Sequence, residues 1–275
     1  MISCDSVQIY KYLNIGSAKP SLKERSEIPH HLIDLFSPDF QIDVGLYKEL
    51  AEKAIIDVIS RGNVPFVVGG TGMYFNALYF GLFDAPKRSE KIRNKLEEKI
   101  KRDGLHSVYQ ELLSVDPESA SKISPNDKRR IIRALEVYLV SGKTISELRK
   151  SNKKLPLDWL LICLLPDRKK LYERINNRVE KMLENGLVDE VRNIIEKFGD
   201  DAYALGSIGY KEVKEYLKGE INFEEMKEKI KKSTRNYAKR QFTWFKKLPG
   251  ANFVLPEELK KIDELIGSFL YDDCN

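Results

Sequence analysis

The sequence predicts an α/β protein, a parallel-sheet core interrupted by a helical insertion, and three observations carry that prediction. Near the start, short apolar runs flank one long amphipathic stretch and lead into a glycine turn, Gly69-Gly70. Between Gly81 and Lys154 every periodic segment is charged and helical in spacing, and none reads as a strand. The longest apolar run, Trp159 to Leu165, then restores strand character ahead of a helical C-terminal part.

The elements follow in order. Met1 to Ser6 reads as the end of a strand, followed by a polar turn around Asn14-Ile15-Gly16 and by Pro20. His31 to Phe36, closed by Ser37-Pro38, reads as another strand. Val44 to Arg61 places Leu46, Leu50, Ala54, Ile55, Val58 and Ile59 at helical spacing and stops at Gly62-Asn63. The continuous apolar run Val64 to Val68 suggests a buried parallel strand, and Thr71 to Phe80 opens a helix. Inside the insertion the expected helices are Ser89 to Arg102, Leu105 to Leu113, Asn126 to Val140 and Ser146 to Lys150. Lys169 to Lys247 is helical again, and a weak strand and closing helix follow Ala251. This divides the chain into a core, residues 1–84 and 155–275, and an insertion, residues 85–154. In such open sheets ligands sit at the carboxyl ends of the strands.

A chain of 275 residues with 42% hydrophobic and 32% charged residues fits a soluble globular protein with a sizeable core. No apolar run reaches the length of a membrane span, so no membrane partner is expected. Met1-Ile2-Ser3-Cys4-Asp5 lacks the basic start and apolar core of a signal peptide. Cys4, Cys163 and Cys274 are far apart, and with three histidines they form no plausible zinc set. A reduced, cytoplasmic protein without a structural metal is expected. The net charge is +5, but the stretch Asp84 to Lys154 holds 18 Lys or Arg against 11 Asp or Glu, which leaves the remainder slightly acidic. A basic segment beside an acidic body suits a polyanionic partner, and a set of solvated helix faces gives the same count.

Six motifs carry chemistry. SCDSVQIYKYLNIGSAKP packs Asp5, Ser6, Gln8 and Tyr10 at an expected strand end. An aspartate there can accept a proton or help to hold magnesium, an amide can read a base edge, and a tyrosine can stack on a base. A polar turn with Asp5 as a helix cap is the plainer reading. VVGGTGMYFNAL puts two glycines after a strand, where amides can approach a phosphate or a flipped base; a strand-to-helix turn asks for the same glycines. SPNDKRRIIRALEVYLVSGK starts a helix with Arg129, Arg130 and Arg133, suited to forked phosphate contacts or to pairing with carboxylates such as Glu136. RVEKMLENGLVDEV and LGSIGYKE follow. STRNYAKRQFTWF interleaves Arg235, Lys239 and Arg240 with Tyr237, Phe242, Trp244 and Phe245. The charges suit solvent or an RNA backbone, and the rings suit a core face.

Together and in this order, DSVQIYKYLNIGSAKP, GGTGMY, PNDKRRIIRALE, GSIGYKE and TRNYAKRQFTWF resemble the bacterial tRNA dimethylallyltransferase (isopentenyl-tRNA transferase) family, over about Ser3 to Trp244. The resemblance implies a P-loop NTPase-like core and an insertion that grips the tRNA anticodon stem-loop. It implies transfer of a dimethylallyl group from dimethylallyl diphosphate, with Mg²⁺, to the exocyclic amine of the adenosine 3′ of the anticodon. By resemblance the catalytic residues are Asp5 as general base, Thr71, and Arg178 on the diphosphate side. The implied tRNA contacts are Asp5, Ser6, Val7, Gln8 and Thr71; Arg93 beside the base channel; Arg129, Arg130, Ile131, Ile132 and Arg133; and Gly206, Ser207, Ile208, Gly209, Tyr210 and Lys211. A monomer is expected, and no metal ligands are assigned.

One departure stands out. Family members begin with a strand and a G-P-T-x-S-G-K-[ST] loop that cradles the diphosphate, whereas here Met1 lies four residues before Asp5 and no such loop occurs. The expectation is a truncated chain that binds the allylic diphosphate poorly and folds poorly alone. The alternatives are an adenylate isopentenyltransferase acting on free nucleotide and a non-catalytic tRNA-binding remnant. The basic insertion argues against the first. A nucleotide kinase would leave D-S-x-Q and GSIGYKE unexplained.

Overall fold

The computed structural model describes residues 1–271, so Cys274 lies outside the described residues. Two compact units emerge, one made of Met1–Leu78 with the chain from Pro156 onward, the other of Tyr79–Leu155. The sequence placed these breaks after residues 84 and 154.

In the first unit, β1 (Ile2–Ser3) pairs in parallel with β2 (Val67–Val68), Ile2 opposite Val67 and Ser3 opposite Val68. Between them lie α1 (Leu22–Glu27), started by a Ser21–Glu24 capping box, and α2 (Val44–Ser60). The Asp43 carboxylate caps α2 by accepting from Leu46 N at 2.9 Å. α2 buries Tyr47, Ala51, Ala54, Ile55 and Val58, one stripe at helical spacing. α3 (Gly72–Tyr79) presents Tyr74, whose ring stacks on Tyr47 at 3.7 Å between centroids. The Tyr47 hydroxyl donates to Ser3 O at 3.1 Å, so this stack also holds the end of β1.

Two expectations need correction here. His31 to Phe36 is not a strand: it makes isolated bridges, His31 to Ile2 and Phe36 to Tyr10, because Leu32 (φ 63°) and Asp34 (φ 58°) adopt left-handed backbone. Left-handed residues turn the chain and break the ladder. The run Val64 to Val68 is not buried either, since Val64, Phe66 and Val68 are each about half exposed. Among the described residues β2 pairs only with β1, so a run apolar on both faces is covered on one.

The second unit is helical. It comprises α4 (Glu90–Val115), bent at Gly104 with φ 83°, then α5 (Pro117–Ser121), α6 (Lys128–Ser141) and α7 (Ile145–Arg149). Leu96, Val108, Leu112, Ala120, Ile131, Ile132, Ala134 and Leu135 form its core. Each of the Leu, Ile and Val side chains among these contributes roughly 1.5–3 kcal/mol when fully buried. Buried Asp116 ties α5 to α7 by accepting from Ser119 N at 3.0 Å and Ser146 N at 3.1 Å. Glu136, with 0% of its side chain exposed, accepts from Arg93 (2.9 and 3.0 Å), Arg133 (2.7 Å) and Ser89 N (2.7 Å). Burial alone would raise its pKa, but these donors outweigh it and hold the carboxyl at about 2.

The chain returns to the first unit with β3 (Ile162–Leu164), which pairs in parallel with β4 (Asn252–Val254). Between them run α8 (Arg168–Glu184), α9 (Leu187–Phe198), a 3₁₀ turn (Tyr203–Gly206), α10 (Tyr210–Leu217) and α11 (Phe223–Phe245). α8 packs on α11 and α9, and α10 on α9 and α11. α12 (Leu259–Tyr271) follows β4. The fold is thus α/β, mostly helical, with two small parallel sheets among the described residues. None of its described helices is long and apolar enough to cross a membrane.

Because the folded pKa of Glu136 lies below its unfolded value near 4.5, its ionised form stabilises the helical unit above that value. That contribution, about 3 kcal/mol, should disappear as pH falls from about 4.5 toward 2. Thermal melts of Glu136→Gln should show a lower midpoint at pH 7 and a flatter response below pH 5 than wild type.

Candidate active site

The carboxyl ends of β1 and β2 lie side by side, and the motifs that follow them meet there. After β1 come Cys4, Asp5 and Ser6; after β2 come Gly69, Gly70 and Thr71. The strands come close enough that a Cβ on Gly69 would lie 2.2 Å from Cys4 O, so this position must be glycine. Thr71 N donates to Cys4 O at 3.1 Å, and Ser6 N donates to Thr71 Oγ1 at 3.0 Å. The Thr71 hydroxyl in turn donates to Ser6 Oγ at 3.3 Å. Asp5, Ser6 and Thr71 therefore form one cluster, all half-buried.

One oxygen of Asp5 accepts from Val7 N at 2.7 Å and Gln8 N at 3.1 Å, which fixes the side chain as the cap of a tight turn. The other oxygen accepts no hydrogen bond among the described residues and remains available. Burial pushes the Cys4 thiol up to about 11, which keeps this neighbour protonated and inert.

α11 closes the cluster from the C-terminal half of the chain. Gln241 Nε2 donates to Gly70 O at 2.9 Å and the Tyr237 hydroxyl to the same carbonyl at 3.2 Å. Burial raises the pKa of Tyr237, its bond with Thr71 opposes that shift, and nearby Asp5 adds to it. Trp244 lies against Gly72 and meets Phe75 edge-on at 5.8 Å. Sequence reasoning gave Gln241 no role and Tyr237 a core role. Their signal was the one-turn spacing that puts both on one face of α11. Tyr237, Trp244 and Phe245 are half-buried, so the core reading of these rings holds only in part.

Arg178 on α8 is exposed. Desolvation lowers its pKa, with Asp5 and then Tyr210 pulling the other way. It therefore lies within electrostatic reach of Asp5. Among the described residues no three His, Cys, Asp or Glu side chains form a metal cluster. The donors present suit a Mg²⁺ carried by substrate phosphates and water with one protein oxygen, from Asp5 or Ser6, and do not suit an all-protein cage.

Other expected contacts fall in different places. Gln8 does not present its amide outward: its carbonyl accepts from Ser3 Oγ at 3.2 Å, and its nitrogen faces Ser17 O and Ala18 O, each at 3.4 Å. Val7 is half-buried beside it. Tyr10, 1% exposed, is a core residue and cannot stack on a base. Ile131 and Ile132 are likewise core side chains of the helical unit, because they occupy the apolar stripe of α6, so only their backbone is left to meet an RNA. Arg93 and Arg133 are bound to Glu136, while Arg129 and Arg130 on the same helix start are exposed.

In the GSIGYKE segment, Gly206 is exposed and Ser207 and Ile208 are half-buried. Gly209 N donates to Glu212 Oε2 at 2.8 Å, and Lys211 pairs with the same buried carboxylate at 3.5 Å. Tyr210 is fully buried and donates to Glu190 Oε1 at 2.7 Å. Glu190 also accepts from Asn14 N and Ile15 N, both at 2.9 Å, and from Gly16 N at 3.3 Å. One carboxylate thereby joins the loop after β1 to the start of α10.

The IPP transferase family model matches residues 8–248. The chain is 45% identical to the tRNA dimethylallyltransferase of Thermoanaerobacter sp. (strain X514), over 96% of this chain and 86% of that protein. It is 44% identical to the tRNA dimethylallyltransferase of Thermotoga neapolitana, over 97% and 89%. Among solved structures it is similar to the full-length tRNA isopentenylpyrophosphate transferase of Bacillus halodurans, with TM-score 0.67 and 36% identity over 98% of this chain and 86% of that one. It is also similar to a eukaryotic dimethylallyltransferase acting on tRNA, with TM-score 0.77 and 30% identity over 98% and 70%.

The Gly69 contact yields a direct test. Gly69→Ala should destabilise the first unit by about 3 kcal/mol, read as a lower urea midpoint, since backbone on both sides must move. An unchanged midpoint would mean that the two strand ends are not in contact.

Proposed function

Because this chain belongs to the IPP transferase family, we propose that it transfers a dimethylallyl group from dimethylallyl diphosphate to the exocyclic amine of the adenosine 3′ of the anticodon in tRNA. The observation that carries the reading is the meeting of Asp5 and Thr71 at the ends of two parallel strands, with Arg178 in electrostatic reach of Asp5.

The chemistry asks little covalently of the protein. The adenine nitrogen forms a bond to the allylic carbon, the carbon–oxygen bond to diphosphate breaks, and the amine loses a proton. The free carboxylate oxygen of Asp5 accepts that proton. Thr71 and the turn beside it, held from behind by Tyr237 and Gln241, align the base against Asp5. Arg178 faces the departing diphosphate, whose negative charge grows as the bond breaks. A bound Mg²⁺ supplies further neutralisation of that charge. The core is read as P-loop NTPase-like and the protein as a cytoplasmic monomer, on family grounds.

The basic helical unit is the part assigned to the anticodon stem, through Arg129 and Arg130 above all. Arg93 and Arg133 support it by their bonds to Glu136. Ser6, Ser207 and Lys211 remain contacts on the first unit.

Two measurements test this. Asp5→Asn keeps an acceptor for Val7 N and Gln8 N but removes the base, so labelled dimethylallyl transfer should fall by about 10²–10⁴-fold while tRNA binding stays within a few-fold. If the wild-type chain binds tRNA yet never transfers label with Mg²⁺ present, the enzyme reading gives way to an RNA-binding one. Arg129→Ala and Arg130→Ala should each reduce the salt dependence of tRNA binding by about one unit of slope.

A further inference from the structure

We infer that the cavity lined by Tyr12 and Phe198 is a second base-binding pocket, which stacks one unpaired nucleobase of the same RNA loop whose adenosine reaches Asp5. The inference rests on the RNA reading above and adds a subsite to it.

The cavity measures about 430 Å³, within the range of small-ligand sites. It is formed where the loop after β1 meets α9, in the first unit. Tyr12 is the unusual residue in it. Its backbone is left-handed, φ 68°, a conformation that costs a non-glycine residue about 1 kcal/mol or more, and its side chain remains 44% exposed. Two positions earlier, Tyr10 is buried, so the chain holds one ring in the core and turns the next out.

The exposed ring is nonetheless held in place. Lys197 Nζ donates to the Tyr12 hydroxyl at 2.9 Å and sits 4.3 Å from its ring centroid. The Phe198 ring lies 5.4 Å away at 45°. A pre-oriented aromatic pair in a cavity wall is a stacking platform, and every base has a π-face to offer it.

The remaining lining selects the class of occupant. Asp189 and Glu190 line the same cavity, so a phosphate is not its ligand. Both carboxylates already have partners: Glu190 takes three backbone amides and the Tyr210 hydroxyl, and Asp189 pairs with Arg192. Lys197 is held by Tyr12, so the groups left for a ligand are the Asn185 and Asn193 side chains. Amides that both donate and accept match the edge of a flat heterocycle. The pocket and Asp5 share the loop after β1, and Glu190 in the pocket wall holds that loop through Asn14, Ile15 and Gly16.

The test uses the full chain and synthetic anticodon stem-loops carrying 2-aminopurine at one unpaired loop position at a time. At one position other than the modified adenosine, binding should quench the fluorescence. Tyr12→Asn, chosen because asparagine tolerates left-handed backbone, should abolish that quench and weaken binding about 10-fold, whereas Tyr12→Phe should keep both. Lys197→Met, which leaves the loop backbone untouched, should weaken the same quench. If Tyr12→Asn binds every stem-loop with wild-type affinity and wild-type quenching, the pocket is not a base site. If wild type binds tRNA and transfers label but no second position responds, the inference alone falls. If wild type binds no stem-loop at all, the RNA reading falls with it.

Discussion

Everything at the candidate site depends on a short parallel pairing. Ile2 on Val67 and Ser3 on Val68 amount to two residues of ladder, yet they set where both strands end. Parallel strands end on the same side, so the polar segments that follow them share one edge. The pairing alone is too short to hold. It is supported below by the Tyr47–Tyr74 stack and the Tyr47 bond to Ser3 O. From α11 it is held by two donors on Gly70 O. A site assembled from such distant parts of the chain is only as rigid as those supports, which is why Gly69 and Gln241 bear on Asp5 without touching it.

Two buried or half-buried carboxylates organise the polar remainder in the same manner. Glu136 collects Arg93, Arg133 and an amide inside the helical unit, and its full set of donors keeps it ionised despite burial. That arrangement divides the arginine-rich helix start: Arg133 is bound to Glu136, while Arg129 and Arg130 are exposed, Arg130 beside Asp127 at 3.4 Å. Glu190 does the corresponding work in the first unit, gathering Asn14, Ile15, Gly16 and Tyr210 around one side chain. The close fit there explains Gly16, where a Cβ would fall 2.5 Å from the Tyr210 ring. Motifs that look like ligand contacts in sequence thus serve partly to hold one another.

The apolar surface of the first unit has its own physical consequence. Val64, Phe66 and Val68 beside β2, and Leu164, Phe253 and Leu255 around β3 and β4, are exposed to a degree unusual for strand aliphatics. Among the described residues β2, β3 and β4 each pair with a single strand, so one edge of each leaves apolar side chains to solvent.

What the sequence determined by itself was whatever depends on local periodicity and on ordered motifs: α2, the helical character of the insertion, the return of strand character near Leu161, and the family signature from DSVQ to RQFTWF. Local spacing encodes which face of a helix is apolar, so those readings need no knowledge of neighbours. Tertiary structure decided the rest. Whether an apolar run is buried depends on how many strands flank it, which is why Val64 to Val68 supplies the expected parallel strand without the expected burial. Whether an arginine is free depends on a carboxylate that is distant in sequence for Arg93 and one turn away for Arg133. Which of two nearby tyrosines faces solvent depends on a left-handed residue that composition does not announce. Gln241 and Tyr237 show the same limit, since their role consists of hydrogen bonds to a glycine turn far away in the chain, and such bonds exist only once the fold has closed.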